Sequence, residues 1–260
     1  GTLPSGMKRT QIGNDDLRWE TTTQTNAGID FSLWGQKLYG SFDWFYKNTD
    51  DILLYMAGIA AMGEGASQWV NAGSMRNIGE ELMLGSKGET NGFRWDVNVN
   101  LSHYDNMITK LPETVAANGT FGGNGVKSVV GHPMGAQVGY VAEGIFRSQD
   151  DIDNHAEQTG AGLGRIMWKD LNGDGKITEA DQDWIYNPVP AISYGLNVYL
   201  EYFGFDLTLF FQGVQGVDII SDLKKETDLW SGLNISNLNK GTRLLDAWSP
   251  TNTDSDIPAL

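Results

Sequence analysis

A strict alternation of apolar and polar residues in the middle of the sequence is the feature that most constrains the fold. From Phe93 to Ser102 the apolar members are Phe93, Trp95, Val97, Val99 and Leu101, and the polar members are Arg94, Asp96, Asn98, Asn100 and Ser102. Successive side chains of an extended strand point to opposite faces of a sheet. The period of two therefore predicts a strand with one apolar and one polar face.

Five further segments show the same period: Thr21–Leu33, Leu38–Lys47, Arg76–Ser86, Ile192–Glu201 and Phe205–Gln212. The alternation is weakest in Arg76–Ser86. Together with 33 Gly, 9 Trp, 9 Tyr and 10 Phe, these segments predict an all-β chain with many turns. No segment has the ~20 consecutive apolar residues that a membrane-spanning helix needs.

The connections alternate between short and long. Short ones are predicted at Trp34–Gln36, Lys87–Gly92 and Tyr202–Gly204, whereas Thr49–Val70, His103–Pro190 and the residues after Gly213 form long stretches. This rhythm is typical of an outer-membrane barrel, which has short periplasmic turns and long extracellular loops. Loops of that length are uncommon inside a compact soluble domain.

Aromatic residues concentrate near the short connections. They are Trp34, Phe93, Trp95, Tyr199, Tyr202, Phe203 and Phe205. Such a cluster predicts the aromatic girdle of a barrel at the periplasmic interface. The same pattern fits aromatic pairs in a soluble β-sandwich that has one wet face per sheet, and that alternative stays open at this point.

Six strands are too few for a closed barrel, because bacterial barrels begin at about eight strands. An open sheet would leave unpaired edges and a bare apolar face. We therefore expect residues 1–260 to be part of a larger barrel.

Charge and composition exclude several classes of function. The formal net charge is −15 and no Lys/Arg cluster stands out, which argues against nucleic acid as a partner. The absence of Cys excludes disulfides and thiolate metal sites. No GxSxG, HExxH or Walker motif occurs, and His103, His132 and His155 are scattered. We predict that the chain has no catalytic residues and is not an enzyme.

Residues 170–181 match an EF-hand-type calcium loop, with Gly175 at the sixth position where the chain turns sharply. The candidate ligands are Asp170, Asn172, Asp174, the backbone carbonyl of Lys176, Thr178 and Asp181. Asp181 occupies the twelfth position, where such loops usually have Glu. The sequence predicts one structural calcium ion. The alternative is an Asx/Gly-rich turn without metal.

Three tryptophans in the long connections, Trp69, Trp184 and Trp230, could stack on sugar rings of a substrate. The alternative is that these rings only hold the loops together.

Seven short segments follow one another along nearly the whole chain: NDDLRWETTTQTN at 14–26, NAGSMRNIGEEL at 71–82, GYVAEGIF at 139–146, KDLNGDG at 169–175, NPVP at 187–190, Tyr194-Gly195 and FFQG at 210–213. In this order they resemble SusC-like (SusC/RagA-type) TonB-dependent transporters. Glu80 departs from the pattern, because the family usually has an apolar residue there. It would face lipid, where a charge is costly at mid-bilayer and tolerated near an interface.

The resemblance implies an antiparallel transmembrane β-barrel segment, part of a 22-stranded receptor barrel in the bacterial outer membrane. It implies that polar faces line the lumen, that outer-membrane lipid surrounds the barrel, and that the plug, which contacts TonB, and the final strands lie outside residues 1–260. Residues 103–190 would form a long extracellular loop region that contains the calcium-loop motif. A SusD-like surface lipoprotein would cover the barrel and capture an oligosaccharide or, as in some members, a peptide. The rival interpretation is a secreted, calcium-stabilised β-sandwich that binds carbohydrate.

Overall fold

The computed structural model describes residues 11–56, 67–112, 129–228 and 240–259. The strands are β1 (Gln11–Ile12), β2 (Thr21–Leu33), β3 (Leu38–Met56), β4 (Ser67–Thr90), β5 (Phe93–Lys110), β6 (Gln137–Tyr140), β7 (Ala142–Ile145), β8 (Ile166–Trp168), β9 (Gln182–Tyr186), β10 (Ile192–Tyr202) and β11 (Phe205–Gln215). The helices are α1 (Gln149–Asn154) and α2 (Asp222–Asp228), and 3₁₀ turns cover Glu179–Asp181 and Thr242–Asp246. Neither described helix is long and apolar enough to span a membrane.

Six long strands form one antiparallel sheet in the order β11-β10-β5-β4-β3-β2, and β1 pairs in parallel with the start of β4. All six predicted strands are confirmed, and β2 has the predicted bounds.

Strands β3, β4 and β5 extend well beyond their predicted ends, so parts of two predicted loops are strand. In the predicted loop Thr49–Val70, the residues up to Met56 belong to β3 and those from Ser67 belong to β4. In the loop region predicted for residues 103–190, the residues up to Lys110 belong to β5. The prediction was wrong there because it followed hydropathy. Alternation fades after Leu101, whereas the pairing of β4 with β5 continues to Lys110.

The three short connections lie at one end of the sheet, which we call the turn end. Asn91-Gly92 and Phe203-Gly204 are two-residue turns with positive φ at both residues, as a type I′ hairpin requires. The connection between β2 and β3 holds three consecutive positive-φ residues, Trp34, Gly35 and Gln36. The predicted turn Lys87–Gly92 is shorter in the structure, since β4 continues to Thr90.

Five glycines inside the strands lie directly opposite an aromatic residue of the neighbouring strand. The pairs are Phe31–Gly40, Tyr39–Gly85, Phe45–Gly79, Trp95–Gly88 and Tyr194–Gly213. In each pair a Cβ on the glycine would come within 2.8 Å of the aromatic ring. The absence of a side chain lets the ring lie over the partner's backbone, an arrangement known to support glycine in sheets.

The chain divides into two compact units. The first holds residues 1–136 and 187–218 and contains the long sheet. The second holds residues 137–186 and 219–260. Its own elements are the β6–β9 and β7–β8 pairs, α1 and α2, and its buried side chains include Phe146, Asp181, Leu244, Trp248 and Ile257.

Candidate functional site: an apolar belt, a polar face and the loop-end residues

One face of the long sheet carries an apolar belt. Two adjacent cross-strand rows show its composition. They are Phe31, Gly40, Leu84, Val99, Leu196 and Phe211, then Ile29, Phe42, Leu82, Leu101, Tyr194 and Gly213. No member of these rows belongs to a buried core cluster of the described residues. Along β5 the belt runs from Phe93 to Leu101, about 27 Å of strand or roughly 20 Å of height at a barrel tilt.

Aromatic rings line the belt at the turn end. The Phe93 ring lies 6.1 Å from the rings of Trp95 and Tyr202, and the Tyr202 ring lies 4.4 Å from that of Phe203. Phe203 and Phe205 are each 81% exposed. Amphipathic and aromatic rings at the edge of an apolar band are typical of a membrane interface.

Charged residues end the belt at the opposite end of the sheet, which we call the loop end. Glu80 lies directly opposite His103 and Trp44, one row beyond Leu82. One row further, Asp105 lies 3.7 Å from Arg76. Glu80 therefore lies at the edge of the belt, where a charge is least costly, and not at its middle.

The opposite face of the sheet is polar and internally hydrogen-bonded. Near the turn end, the Tyr39 hydroxyl donates to Asp96 (2.7 Å), and the Lys87 ammonium lies 5.7 Å from the centre of the Tyr39 ring. The Arg94 guanidinium contacts Glu89 at 3.0 Å and Glu201 at 3.4 Å.

Midway along the polar face an open depression of about 360 Å³ is lined mainly by small and polar side chains. Among them are Ser41, Asp43, Glu81, Asn100, Ser102 and Ser193. Such a surface can exchange hydrogen bonds with a polar solute or with another protein segment.

Trp69, a predicted substrate contact, lies on β4 at the loop end of the sheet. It is 41% exposed and lies opposite Tyr55, which is 52% exposed, with the two ring centres 5.0 Å apart. Tyr55 was not predicted as a contact, because it follows the segment in which alternation is visible.

Of the other two predicted substrate contacts, the structure describes only Trp184. Trp184 lies on β9 in the second unit, where it pairs with Val138. Trp230 lies outside the described residues.

The predicted calcium loop is a compact turn in which backbone amides bind most of the candidate ligand oxygens. The Asp170 carboxylate accepts from the N–H groups of Gly173 (2.7 Å) and Gly175 (2.9 Å). Asn172 Oδ1 accepts from Asp174 N–H (2.8 Å), and Asp174 Oδ1 accepts from Lys176 N–H (2.9 Å).

Asp181 is fully buried and closes this loop. Its carboxylate accepts from the N–H groups of Thr178 (2.8 Å), Leu171 (3.1 Å) and Asn172 (3.4 Å), and from the Thr178 hydroxyl. The Thr178 amide, followed by the other donors, lowers the pKa of Asp181 against the opposing effect of burial. Because these donors engage both oxygens, Asp181 has little free capacity to bind a metal ion.

Within the described residues, no group of three or more His, Cys, Asp or Glu side chains is placed to hold a metal ion. The side chains as they stand therefore fit the metal-free turn directly. Calcium binding would require Asp170, Asn172 and Asp174 to turn an oxygen toward a common centre, and it remains a prediction.

The model of one protein family, described as TonB dependent receptor-like, beta-barrel, matches residues 3–216. The chain belongs to this family. A relative in Formosa agariphila, TonB-dependent receptor P3, is 32% identical over 98% of this chain and 26% of its own length. TonB-dependent receptor SusC of Bacteroides thetaiotaomicron is 29% identical over 77% of this chain and 20% of its own length. A solved structure of the RagAB peptide transporter has a TM-score of 0.74 at 23% identity, over 100% of this chain and 28% of that chain.

Membership in the TonB-dependent receptor family confirms the predicted fold class, an antiparallel outer-membrane β-barrel segment. It also confirms the outer membrane as the location and the prediction that the chain is not an enzyme. The soluble sandwich is thereby rejected. The chain spans about a quarter of the length of the curated relatives it matches most fully.

Proposed function

We propose that this chain forms part of the wall of a TonB-dependent transporter that imports oligosaccharides together with a SusD-like surface lipoprotein. The observation that carries the proposal is the sheet with two different faces. One face has an apolar belt that ends in aromatic rings at the turn end and in Glu80 and His103 at the loop end. The other face offers amides, hydroxyls and carboxylates, as the wall of a polar passage needs.

The choice of oligosaccharide over peptide rests on the exposed Tyr55–Trp69 pair. The apolar face of a sugar ring stacks on an aromatic ring, and the sugar hydroxyls bind amides and carboxylates nearby. Peptide is the alternative cargo, because RagAB, a structural neighbour, is a peptide transporter. TonB, acting through a plug outside this chain, supplies the energy in this proposal.

Uptake by the intact transporter in its host tests the cargo. Labelled neutral oligosaccharides and labelled peptides are compared, with Trp69→Ala as the variant. We expect saturable oligosaccharide uptake, and an increase in its half-saturation concentration of about five- to tenfold in the variant, since one stacking contact is worth about 1.0–1.4 kcal/mol. Trp34→Phe, at the turn end, is the control. Uptake of peptides alone would contradict the proposal.

We further propose that the loop of residues 170–181 binds calcium through Asp170, Asn172, Asp174 and the Lys176 carbonyl. The spacing supports this, because oxygens at the first, third, fifth and seventh positions of a tight turn suit a hard cation. Hydrogen exchange across residues 169–181 should slow when calcium replaces EDTA, and Asp174→Asn should remove the effect. Equal exchange with and without calcium would leave the metal-free turn as the answer.

A further inference from the structure

We propose that Asn71 is a positioning residue that fastens residues 11–20, which we call the strap, to the loop end of the β3–β4 hairpin, and that it thereby fixes the Tyr55–Trp69 pair for ligand contact. The inference rests on the proposed function, since it assumes that this pair contacts the imported oligosaccharide. It concerns a residue that contacts no ligand itself.

Among the described residues, no long strand neighbours the part of the hairpin that carries the aromatic pair, on either side. The pairing of β2 with β3 ends at Thr21 and Asp50, and the pairing of β5 with β4 ends at Lys110 and Ser74. Beyond these points β3 and β4 form a two-stranded ribbon with a small core of Leu54 and Ala72 and the neighbouring Ile52, Val70 and Leu111. An isolated two-stranded ribbon is only marginally stable, so its side chains need further support to be held in place.

An irregularity in β3 changes which backbone groups the ribbon offers. The register of β3 against β4 shifts between Thr49 and Ile52 and again between Ile52 and Leu53, and Asp51 has a φ of +58°. A bulge of this kind bends a strand and leaves backbone groups without a ladder partner. The Asp51 carbonyl and the Leu53 N–H are the two groups that side chains satisfy here.

The Asn71 carboxamide binds the backbone of Arg18 and the Asp51 carbonyl as a peptide unit would. Its Oδ1 accepts from Arg18 N–H, and its Nδ2 donates to the Arg18 carbonyl, both at 2.8 Å. The second proton of Nδ2 goes to the Asp51 carbonyl, also at 2.8 Å. The two bonds to Arg18 reproduce the double exchange of an antiparallel hydrogen-bonded pair. Asn71 therefore joins the strap, the bulge and β4 through one side chain.

Two other strap residues complete the attachment. Glu20 Oε1 accepts from Leu53 N–H at 2.8 Å, and Asn14 Nδ2 donates to the Trp69 carbonyl at 2.9 Å. The start of the strap pairs in parallel with Ser67 and Gln68, just before Trp69. Both strands that carry the aromatic pair are thus held by the strap, and Asn71 makes two of the bonds to the strap and a third to the bulge in β3.

The experiment uses the intact transporter with Asn71→Ala and Asn71→Asp, and Asn154→Ala as the control. Asn154 also donates to a backbone carbonyl, that of Asp150 at 2.8 Å, but lies in the second unit. Asn71→Asp keeps the size and one acceptor but loses both donated bonds. Hydrogen exchange reports on the peptides that contain Arg18 and Leu53. Uptake of labelled neutral gluco-, manno- and xylo-oligosaccharides reports on ligand contact.

We expect both Asn71 variants to speed exchange at Arg18 and to raise the half-saturation concentration for uptake about tenfold, with an unchanged maximal rate per transporter in the membrane. A purely structural role would lower the amount of folded transporter and leave the half-saturation concentration unchanged. Asn14→Ala, which removes only the bond to Trp69, should give a smaller shift in the same direction.

Each of the other possible results shows which part of the inference is wrong. Unchanged exchange at Arg18 in both Asn71 variants overturns the fastening role. Faster exchange with an unchanged half-saturation concentration overturns the positioning role, provided that Trp69→Ala does raise it. If Trp69→Ala has no effect either, the proposed contact with the aromatic pair is wrong, and the inference fails with it.

Discussion

At the scale of single residues, several glycines in the sheet have a defined task. Gly85 leaves room for the Tyr39 ring to lie across its backbone, and from that position the Tyr39 hydroxyl reaches Asp96. The size of residue 85 thus controls a hydrogen bond between β3 and β5, two strands that are not adjacent in the sheet.

Gly85→Ala should therefore displace the Tyr39 ring and break its bond to Asp96. A Cβ at residue 85 would lie 2.2 Å from the ring, so we expect a loss of about 1–3 kcal/mol in the free energy of unfolding. Gly195→Ala is the control, because its Cβ would find only ordinary contacts beyond 3.7 Å. Denaturant unfolding of the intact transporter in detergent measures both, and equal stability of the two variants would contradict the assignment.

The lowered pKa of Asp181 predicts how the stability of its loop depends on pH. The folded loop favours the charged carboxylate, so its contribution is fully present above the ordinary Asp pKa of about 3.9 and is lost as the pH falls through the folded value. We expect hydrogen exchange in residues 169–181, corrected for its intrinsic pH dependence, to accelerate below about pH 3.9.

Asp181→Asn should remove most of this pH dependence and leave the loop poorly protected at neutral pH, because an amide oxygen replaces only half of the carboxylate. Glu179→Gln, an exposed change in the same 3₁₀ turn, is the control and should behave as the parent protein does. A variant that stays fully protected would show that Asp181 is not the residue that closes the loop.

At the scale of strands, the belt predicts that the cost of a charge depends on its depth. Val97→Arg places a cation near the middle of the apolar belt and should cost about 2–4 kcal/mol, whereas Glu80→Arg at its edge should cost about 0–1 kcal/mol. Folded and unfolded fractions after assembly into lipid vesicles at graded urea concentrations measure both. Equal costs would mean that the belt is not the lipid-facing surface.

How much of the architecture could be predicted also depends on the element. The ends of β2 were predictable because Trp34-Gly35 interrupts its alternation, and the type I′ signal Asn91-Gly92 marks the turn after β4. The ends of β3 and β5 were not, because pairing continues where hydropathy no longer alternates. The contact between Asn71 and Arg18 joins residues 53 positions apart and depends on a bulge that no local pattern shows.

At the scale of the whole molecule, closure of the barrel decides what the chain can do alone. The described sheet has six long strands, and a lumen requires a closed sheet of about eight or more. Its two outer strands would expose unpaired backbone groups that cost several kcal/mol each in hydrocarbon. We therefore expect liposomes containing only residues 1–260 to show no saturable uptake of labelled oligosaccharides. Specific uptake would show that the architecture has been misjudged.

The three short turns at one end of the sheet also carry information about the order of folding. Each joins strands that are neighbours in both sequence and space, so each hairpin can close on the microsecond scale without waiting for distant segments. The pairing of β5 with β10 must instead bring together residues 89 to 107 positions apart, from His103–Ile192 to Arg94–Glu201. The hairpins with preformed turns would thus form first and pair with one another afterwards. Pairing of β5 with β10 is then the natural slow step of assembly.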